Sequence, residues 1–515
     1  MNTKLIIHIV FIVALVVSAM ILASAGVSWL MQDHPEQILK LTFCGFFLLL
    51  FSGLIVWNTR LKSDKDRICS RKENFAIVAF SWLIATLFGA VPYTAVSGLY
   101  WYDALFESAS GFSTTGASIL EKGTVLYHGA ILENGIESLS YGILFWRMLT
   151  HWLGGMGIVV LSLAILPMLN TGGGQMLYHA ESTGLKAPGN QMTPRITSSA
   201  KILWCVYVSL TVAGTFLLRF GGMDWFDSVC HMFSVMSTGG FSTRQTGVMY
   251  YDSLYIEGVL IFFMFVSSCN FMLHFRAITG KPREYWKDEE FRVFTWIVVL
   301  SVLLITLVLT LSPGTGMDPV NHLTYQGHFW TSLRVAAFQV VSLISTTGFI
   351  TGDYTRWPAF TCAILFLISF VGGCGGSTAG GMKCVRALLL GKISFFEIRR
   401  CLYPHLQPNI RLNKVLQETA TQRKTFAFFA LYMGTYFIFV LLYPLLCPGM
   451  TLETSLSASL ACLSNIGPGF GQIGPEFSYA WISAPAKCAM AFEMLLGRLE
   501  LYTVLVLLNI NFWKK

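Results

Sequence analysis

Charge is what this sequence has least of: acidic and basic side chains make up 12% of its 515 residues, against 54% hydrophobic. A soluble domain carries about 25% charged residues. A water-soluble globule this apolar could not cover its own surface, which excludes that class and leaves lipid as the solvent. Paired cysteine spacings are missing too. None of the twelve cysteines forms a C-x-x-C, and Cys205, Cys362 and Cys488 fall inside apolar runs. They are expected to be reduced, buried, small apolar residues rather than metal ligands. The chain also lacks a His/Glu metal motif, a nucleophile elbow and a G-x-G-x-x-G strand–helix unit. Gly375 and Gly380 have the spacing of a phosphate loop, but no Lys-Ser/Thr pair follows the second glycine. No enzyme and no organic cofactor in this chain are therefore expected.

What the sequence does have is apolar runs of about 20 residues, the length a membrane-crossing helix needs. The first, Leu5 to Leu30, is longer than a secretory h-region and lacks a convincing small-residue cleavage site, so it is expected to be a retained helix. Six basic residues crowd the short loop from Arg60 to Lys72, namely Arg60, Lys62, Lys65, Arg67, Arg71 and Lys72. The positive-inside rule places that loop in the cytoplasm. More basic residues follow Phe275, follow Met382 and close the chain at Lys514 and Lys515. Topology and lipid head groups thereby account for the net charge of +8, and no nucleic-acid partner is expected. Helices over roughly 4–30 and 38–58 form a hairpin, which makes a multi-pass chain with both termini cytoplasmic.

Beyond the hairpin, one unit recurs four times: an outward helix, a re-entrant segment and an inward helix. The first runs from Phe75 to Val96, then through WYDALFESASGFSTTGASIL (101–120), then from about Gly142 to Leu169. The second has Ile202 to Phe220, the segment from Trp225, and Leu254 to Phe275. The third has Phe294 to Leu311, the segment from Leu333, and a span from Pro358. The fourth has Phe426 to Leu446, the segment from Ser455, and Lys487 to Asn511. The expected fold is an all-α membrane protein, four pseudo-symmetric helix–pore-loop–helix units around one ion pore plus the N-terminal hairpin. That gives ten spans and four re-entrant segments. The divisions are 1–70 for the hairpin and its basic loop, then 71–185, 186–285, 286–420 and 421–515 for the units. Cytoplasmic connectors are expected at 170–198, 276–292 and 399–424.

Each re-entrant segment is an apolar half-helix, then a small polar step ending in glycine, then an extended return. The steps read Thr114-Thr115-Gly116, Ser237-Thr238-Gly239, Thr346-Thr347-Gly348 and Asn465-Ile466-Gly467, with glycines 123, 109 and 119 residues apart. Extended backbone survives at membrane depth only where it lines a polar path, because unpaired carbonyls facing lipid cost several kcal/mol each. A ring of carbonyls replaces the water shell of a monovalent cation, potassium above all. Glycine tolerates the positive φ that turns successive carbonyls toward one axis. The half-helices point their negative C-terminal ends at the path, which favours a cation. These twelve residues are the expected selectivity filter.

The segments SASGFSTTGAS, FWRMLTHWLGGMGI (145–158), FSVMSTGGFST, SLISTTGFITGD, GGCGGSTAGGMK (372–383), SNIGPGFG and LLGRLEL (495–501) carry a resemblance that spans nearly the whole chain. It resembles the TrkH-type potassium transporter subunits, in the superfamily that includes KtrB and the plant HKT proteins. The hairpin is similar to the extra helix pair of TrkH proteins. The resemblance implies potassium uptake across a bacterial inner membrane, with potassium as the transported ion. It also implies a homodimer in lipid and a cytoplasmic nucleotide-binding regulatory subunit of the TrkA type. Channel and ion-coupled symport, with protons or sodium, both fit. Asn465 and Ile466 depart from the Ser/Thr-rich filter pattern.

Two features lie beneath the filter. After Val371, residues 372–381 hold six glycines in ten positions: Gly372, Gly373, Gly375, Gly376, Gly380 and Gly381, with Ser377 and Thr378 among them. Interior glycine costs about 1 kcal/mol relative to alanine, so a helix is expected to break here into an intramembrane loop obstructing the pore. The resemblance implies the same. Arg498 interrupts an apolar run in the fourth inward helix, where a charge marks function by default. It matches the pore-facing arginine of the family; a salt bridge to an acid on another helix is the competing role. Arg147, nearer the other end of the first inward helix, is expected to be structural.

Overall fold

The computed structural model describes residues 1–60, 70–157, 196–312, 325–405 and 409–514. Lys62, Lys65, Arg67 and Lys515, most of the connector 170–198, and the first inward span beyond Gly157 lie outside the described residues. Helices Thr3–Leu30 and Pro35–Asn58 form the hairpin. Its turn is pinned by Asp33, whose carboxylate accepts from Ser28 Oγ and from the backbone N–H groups of Tyr141 and Gly142. The second hairpin helix turns Leu39, Phe43, Phe46, Phe47, Leu50 and Leu54 outward. An outward apolar face of that size suits lipid and not water.

Four units follow. Their long outer helices are Arg71–Ala95, Ile196–Phe220, Glu289–Leu311 and Thr419–Leu446. Short pore helices come next: Trp101–Phe112, Trp225–Met236, Phe329–Ile344 and Leu452–Leu463. The first outer helix starts on a capping box, with Ser70 and Glu73 each satisfying the other's backbone N–H. One continuous hydrophobic core runs through the hairpin and all four units. The one sheet of the described residues is the hairpin Arg411–Leu412 with Val415–Leu416.

The inner helices depart from expectation. They are Tyr141–Gly155, Leu254–Ser267, Ala359–Val371 and Ala484–Arg498, only 13 to 15 residues each. Only the third was expected to break. The second, read as continuous to Phe275, stops at Ser267 and resumes as Phe271–Ile278 at 103°, with Asn270 capping the new helix. The fourth, read as continuous to Asn511, stops at Arg498, turns through Glu500 and Leu501 at φ 52° and 60°, and resumes at Tyr502. Hydropathy alone sees neither break, because both sit inside apolar runs. Accordingly six helices of the described residues are long and apolar enough to cross a membrane, or seven with the bent pair, against the ten spans expected. Cys205 also differs: it lies on the exposed face of its helix.

Candidate functional site

All four pore helices end by one hydrogen-bond pattern. The last carbonyls receive N–H groups four, three and five residues on: from Ser113, Thr114 and Thr115; from Ser237, Thr238 and Gly239; from Ser345, Thr346 and Thr347; and from Ser464, Asn465 and Ile466. The middle residue of each trio is left-handed, with Thr114, Thr238, Thr346 and Asn465 at φ 55° to 57°. Asparagine enters that region readily, whereas a β-branched threonine there is an outlier. Three such outliers at equivalent places mark a backbone held by its surroundings.

The structure shifts one register. The residue two beyond each left-handed one is a glycine at positive φ: Gly116 (81°), Gly240 (84°), Gly348 (77°) and Gly467 (95°). The second unit's counterpart of Gly116 is therefore Gly240, where the sequence alone pointed to Gly239. Gly239 instead holds the place of Thr115, Thr347 and Ile466. Two adjacent glycines offered the motif two registers, and only the backbone angles separate them.

These glycines close a ring. A β-carbon on Gly116 would lie 2.1 Å from the Gly239 carbonyl oxygen, and one on Gly240 would lie 2.1 Å from that of Thr347. One on Gly348 would lie 2.0 Å from the Ile466 oxygen, and one on Gly467 would lie 2.6 Å from that of Thr115. Each unit thus packs on the next and the fourth returns to the first. Four carbonyls, of Thr115, Gly239, Thr347 and Ile466, stand at equivalent places around one axis, at the negative ends of four helices. A vestibule of 400 Å³ on one side is lined by Gly116, Gly240, Gly348 and Gly467. On the other side lies a cavity of 160 Å³, lined by Asn465, Gly497, Arg498 and loop residues 375–381.

The glycine-rich loop crosses that cavity beneath the ring. Gly372, Gly376 and Gly381 take positive φ, and a β-carbon on Gly372 would meet Gly380 while one on Gly373 would meet Ala379. Ser377 Oγ closes on the Cys374 carbonyl. Thr378 Oγ1 donates to the carbonyls of Met236 and Ser267, at 3.0 and 3.1 Å. The Gly380 N–H donates to Thr346 Oγ1 at 2.7 Å, and a β-carbon on Gly380 would sit 2.2 Å from the Ser464 carbonyl. Arg498 donates from below to the carbonyls of Thr378 and Gly155, both at 2.8 Å, and of Gly154. Loop and arginine together touch all four units. Sequence reasoning missed Glu290, one of whose oxygens accepts from the N–H of Gly375 at 2.6 Å and of Val385 at 3.0 Å. It ties the loop at Gly375 to Val385, four residues beyond its last glycine.

Buried and half-buried cations tie the unit seams. Arg147 pairs with Glu107 at 3.4 Å, both fully buried, and donates to the Ser242 carbonyl of the second unit. Arg334 of the third unit pairs with Glu257 of the second at 2.5 Å. Lys487 of the fourth pairs with Asp103 of the first at 2.6 Å. The third and fourth meet through Tyr354 Oη, which donates to the Gly469 carbonyl at 2.9 Å. The structural role expected of Arg147 fits this setting. Acids in otherwise apolar helices, Asp103 in the first pore helix and Glu257 in the second inner helix, were the available signal for the other pairs. Behind the vestibule residue Arg244, which pairs with Asp227, burial and that carboxylate push the Tyr251 hydroxyl above its ordinary range.

The family model for TrkH, described as a cation transport protein, matches residues 39–514. The chain is 37% identical to the Trk system potassium uptake protein TrkH of Salmonella typhimurium, and 36% identical to that of Escherichia coli, each over the full length of both chains. With the potassium uptake protein TrkG of Escherichia coli it shares 31% identity over 93% of both. The crystal structure of the potassium transporter TrkH from Vibrio parahaemolyticus superposes with a TM-score of 0.83, at 33% identity and full coverage of both chains.

Proposed function

Because this chain belongs to the TrkH family of cation transport proteins, we propose that it takes up potassium across a bacterial inner membrane through the ring of filter carbonyls. The observation that carries this reading is the closed cycle in which each filter glycine packs on the next unit's carbonyl. Four convergent backbone segments of one orientation suit a dehydrated monovalent cation, which exchanges water oxygens for carbonyl oxygens. The first carbonyl tier is that of Thr115, Gly239, Thr347 and Ile466, with the left-handed residues Thr114, Thr238, Thr346 and Asn465 beneath it. The loop 372–381 is the gate, since it lies across the cavity side of the ring, and Arg498 adds a fixed positive charge there.

The basic loop 60–72 orients the loop-bearing side toward the cytoplasm, which puts both termini there and the vestibule outside. Helix Cys384–Leu402 exposes Phe395, Ile398 and Leu402 on that side. Such a surface supports seating of a second copy and of a cytoplasmic nucleotide-binding subunit of the TrkA type. No organic cofactor in this chain enters the reading. The test is ion flux in proteoliposomes of the purified protein, with potassium, rubidium, sodium and lithium compared. Potassium and rubidium are expected to pass ahead of sodium and lithium. Equal passage of all four, or none of potassium, overturns the reading.

A further inference from the structure

Gly239 is the filter position that the backbone does not explain. Its counterparts carry side chains: Thr115 and Thr347, whose hydroxyls bond Ser113 and Ser345 at 2.7 Å each, and Ile466. Unlike Gly240, it is not at positive φ, so a larger residue would suit its dihedrals. What excludes one is His151, on the first inner helix. A β-carbon on Gly239 would lie 2.4 Å from Nδ1, 2.5 Å from Cγ and 2.8 Å from Cδ2 of that imidazole.

His151 is fully buried. Neither ring nitrogen has a hydrogen-bond partner of ordinary geometry among the described residues. Its ring packs on Phe241 with centroids 4.1 Å apart, and the Arg147 guanidinium covers the same phenylalanine at 4.0 Å. The Gly111 backbone reaches the ring without a well-formed bond, and a buried polar group so placed is held at an energetic penalty. The fourth unit offers a contrast. Gly154 and Gly497 both pack on the last helical carbonyl of their own pore helix, Phe112 and Leu463, which makes them equivalent. Three residues before each stand His151 and Met494. Asn465 Nδ2 bonds both the Met494 carbonyl and Thr115 Oγ1. A methionine thus stands at the seam whose filter has threonine, and a histidine at the seam whose filter has glycine.

We propose that His151 is a selectivity-determining positioning residue of the second filter, its ring standing in for the missing Gly239 side chain and fixing where that carbonyl sits. The inference rests on the proposed potassium pathway. Emptying the space behind Gly239 lets its carbonyl relax, while adding a side chain against the ring displaces it. Either change spoils a ring that acts through four matched oxygens.

Four proteins test this in proteoliposomes: wild type, His151→Ala, Gly239→Thr, and the two combined. Potassium-over-sodium permeability ratios are read per folded protein. Each single change is expected to lower the ratio about fivefold, and the pair to return within about twofold of wild type, because threonine then occupies the vacated volume. His151→Phe keeps a ring and should hold the wild-type ratio. A pair no better than the worse single, a wild-type ratio in His151→Ala, or a folded His151→Phe as unselective as His151→Ala overturns the proposal. Should His151→Ala fail to purify, Gly239→Thr against the pair decides: recovery of yield and ratio supports it, and no recovery overturns it. A wild type that carries no potassium would instead sink the functional reading itself.

Discussion

At the residue scale, the proposed filter rests on four glycines, each lacking room for a β-carbon. Gly240→Ala combines positive φ with a carbonyl 2.1 Å from the added carbon. It is expected to reduce potassium-over-sodium discrimination as strongly as the same change at Gly116 or Gly348. Gly467, with 2.6 Å available, should be the mildest. Permeability ratios for the four alanine variants check this, and a silent Gly240→Ala would restore Gly239 as the filter glycine. Arg498 carries a second expectation. A guanidinium about 5 Å from a passing ion, at an effective dielectric near 20, repels it by roughly 3 kcal/mol, and pore water reduces that to about 1. Arg498→Ala also releases the Thr378 carbonyl from the arginine. Flux should rise several-fold with potassium preference intact. Arg498→Lys keeps the charge but cannot fork to two elements, so it should fall between. Reduced thermal stability with no gain in flux would refute the pore-facing role. The arginine was legible in the sequence as a charge in an apolar run. Its partners were not, because backbone carbonyls carry no signature in the chain's letters.

Among elements, the inner helices and the loop between the halves of the third decide what the pore can do. Glycine density announced that loop. The breaks after Ser267 and Arg498 were hidden, since a three-residue turn between two apolar helices leaves hydropathy unchanged. Glu290 was hidden for another reason: it opens an outer helix, where an acid in the first turn is ordinary, and only the fold brings it to Gly375 and Val385. Glu290→Ala strands the buried N–H of Val385 and the half-buried N–H of Gly375, a loss of about 1–3 kcal/mol. The loop should then leave its closed position more often, raising flux several-fold per folded protein, while Glu290→Gln, which keeps an acceptor, stays near wild type. Equal flux in all three would show that Glu290 does not restrain the proposed gate. Shortening the segment from Gly375 to Gly380 should raise flux further and weaken its dependence on the proposed TrkA-type subunit, measured with and without that subunit.

For the whole molecule, the seams matter as much as the ring. Removing one partner of a buried ion pair costs about 3–5 kcal/mol, because the other charge is left uncompensated. Arg147→Met should therefore lower the melting temperature in detergent sharply, and Glu107→Met added to it should recover much of the loss. A single variant as stable as wild type would show that this seam does not depend on the pair. The sequence by itself determined that the chain lives in lipid, that one unit repeats four times, and where each of the four re-entrant turns falls to within a residue. Those properties are local: hydropathy, spacing and glycine placement are written along the chain. Only the tertiary structure decided that Gly240 and not Gly239 is the counterpart of Gly116, that Glu290 bonds Gly375 and Val385, and that the His151 ring stands against Gly239. Those facts depend on which atoms meet across 34 to 350 residues of chain, as Gly380 meets Thr346 and Asn465 meets Thr115. Close packing fixes such meetings through the shapes of several units at once.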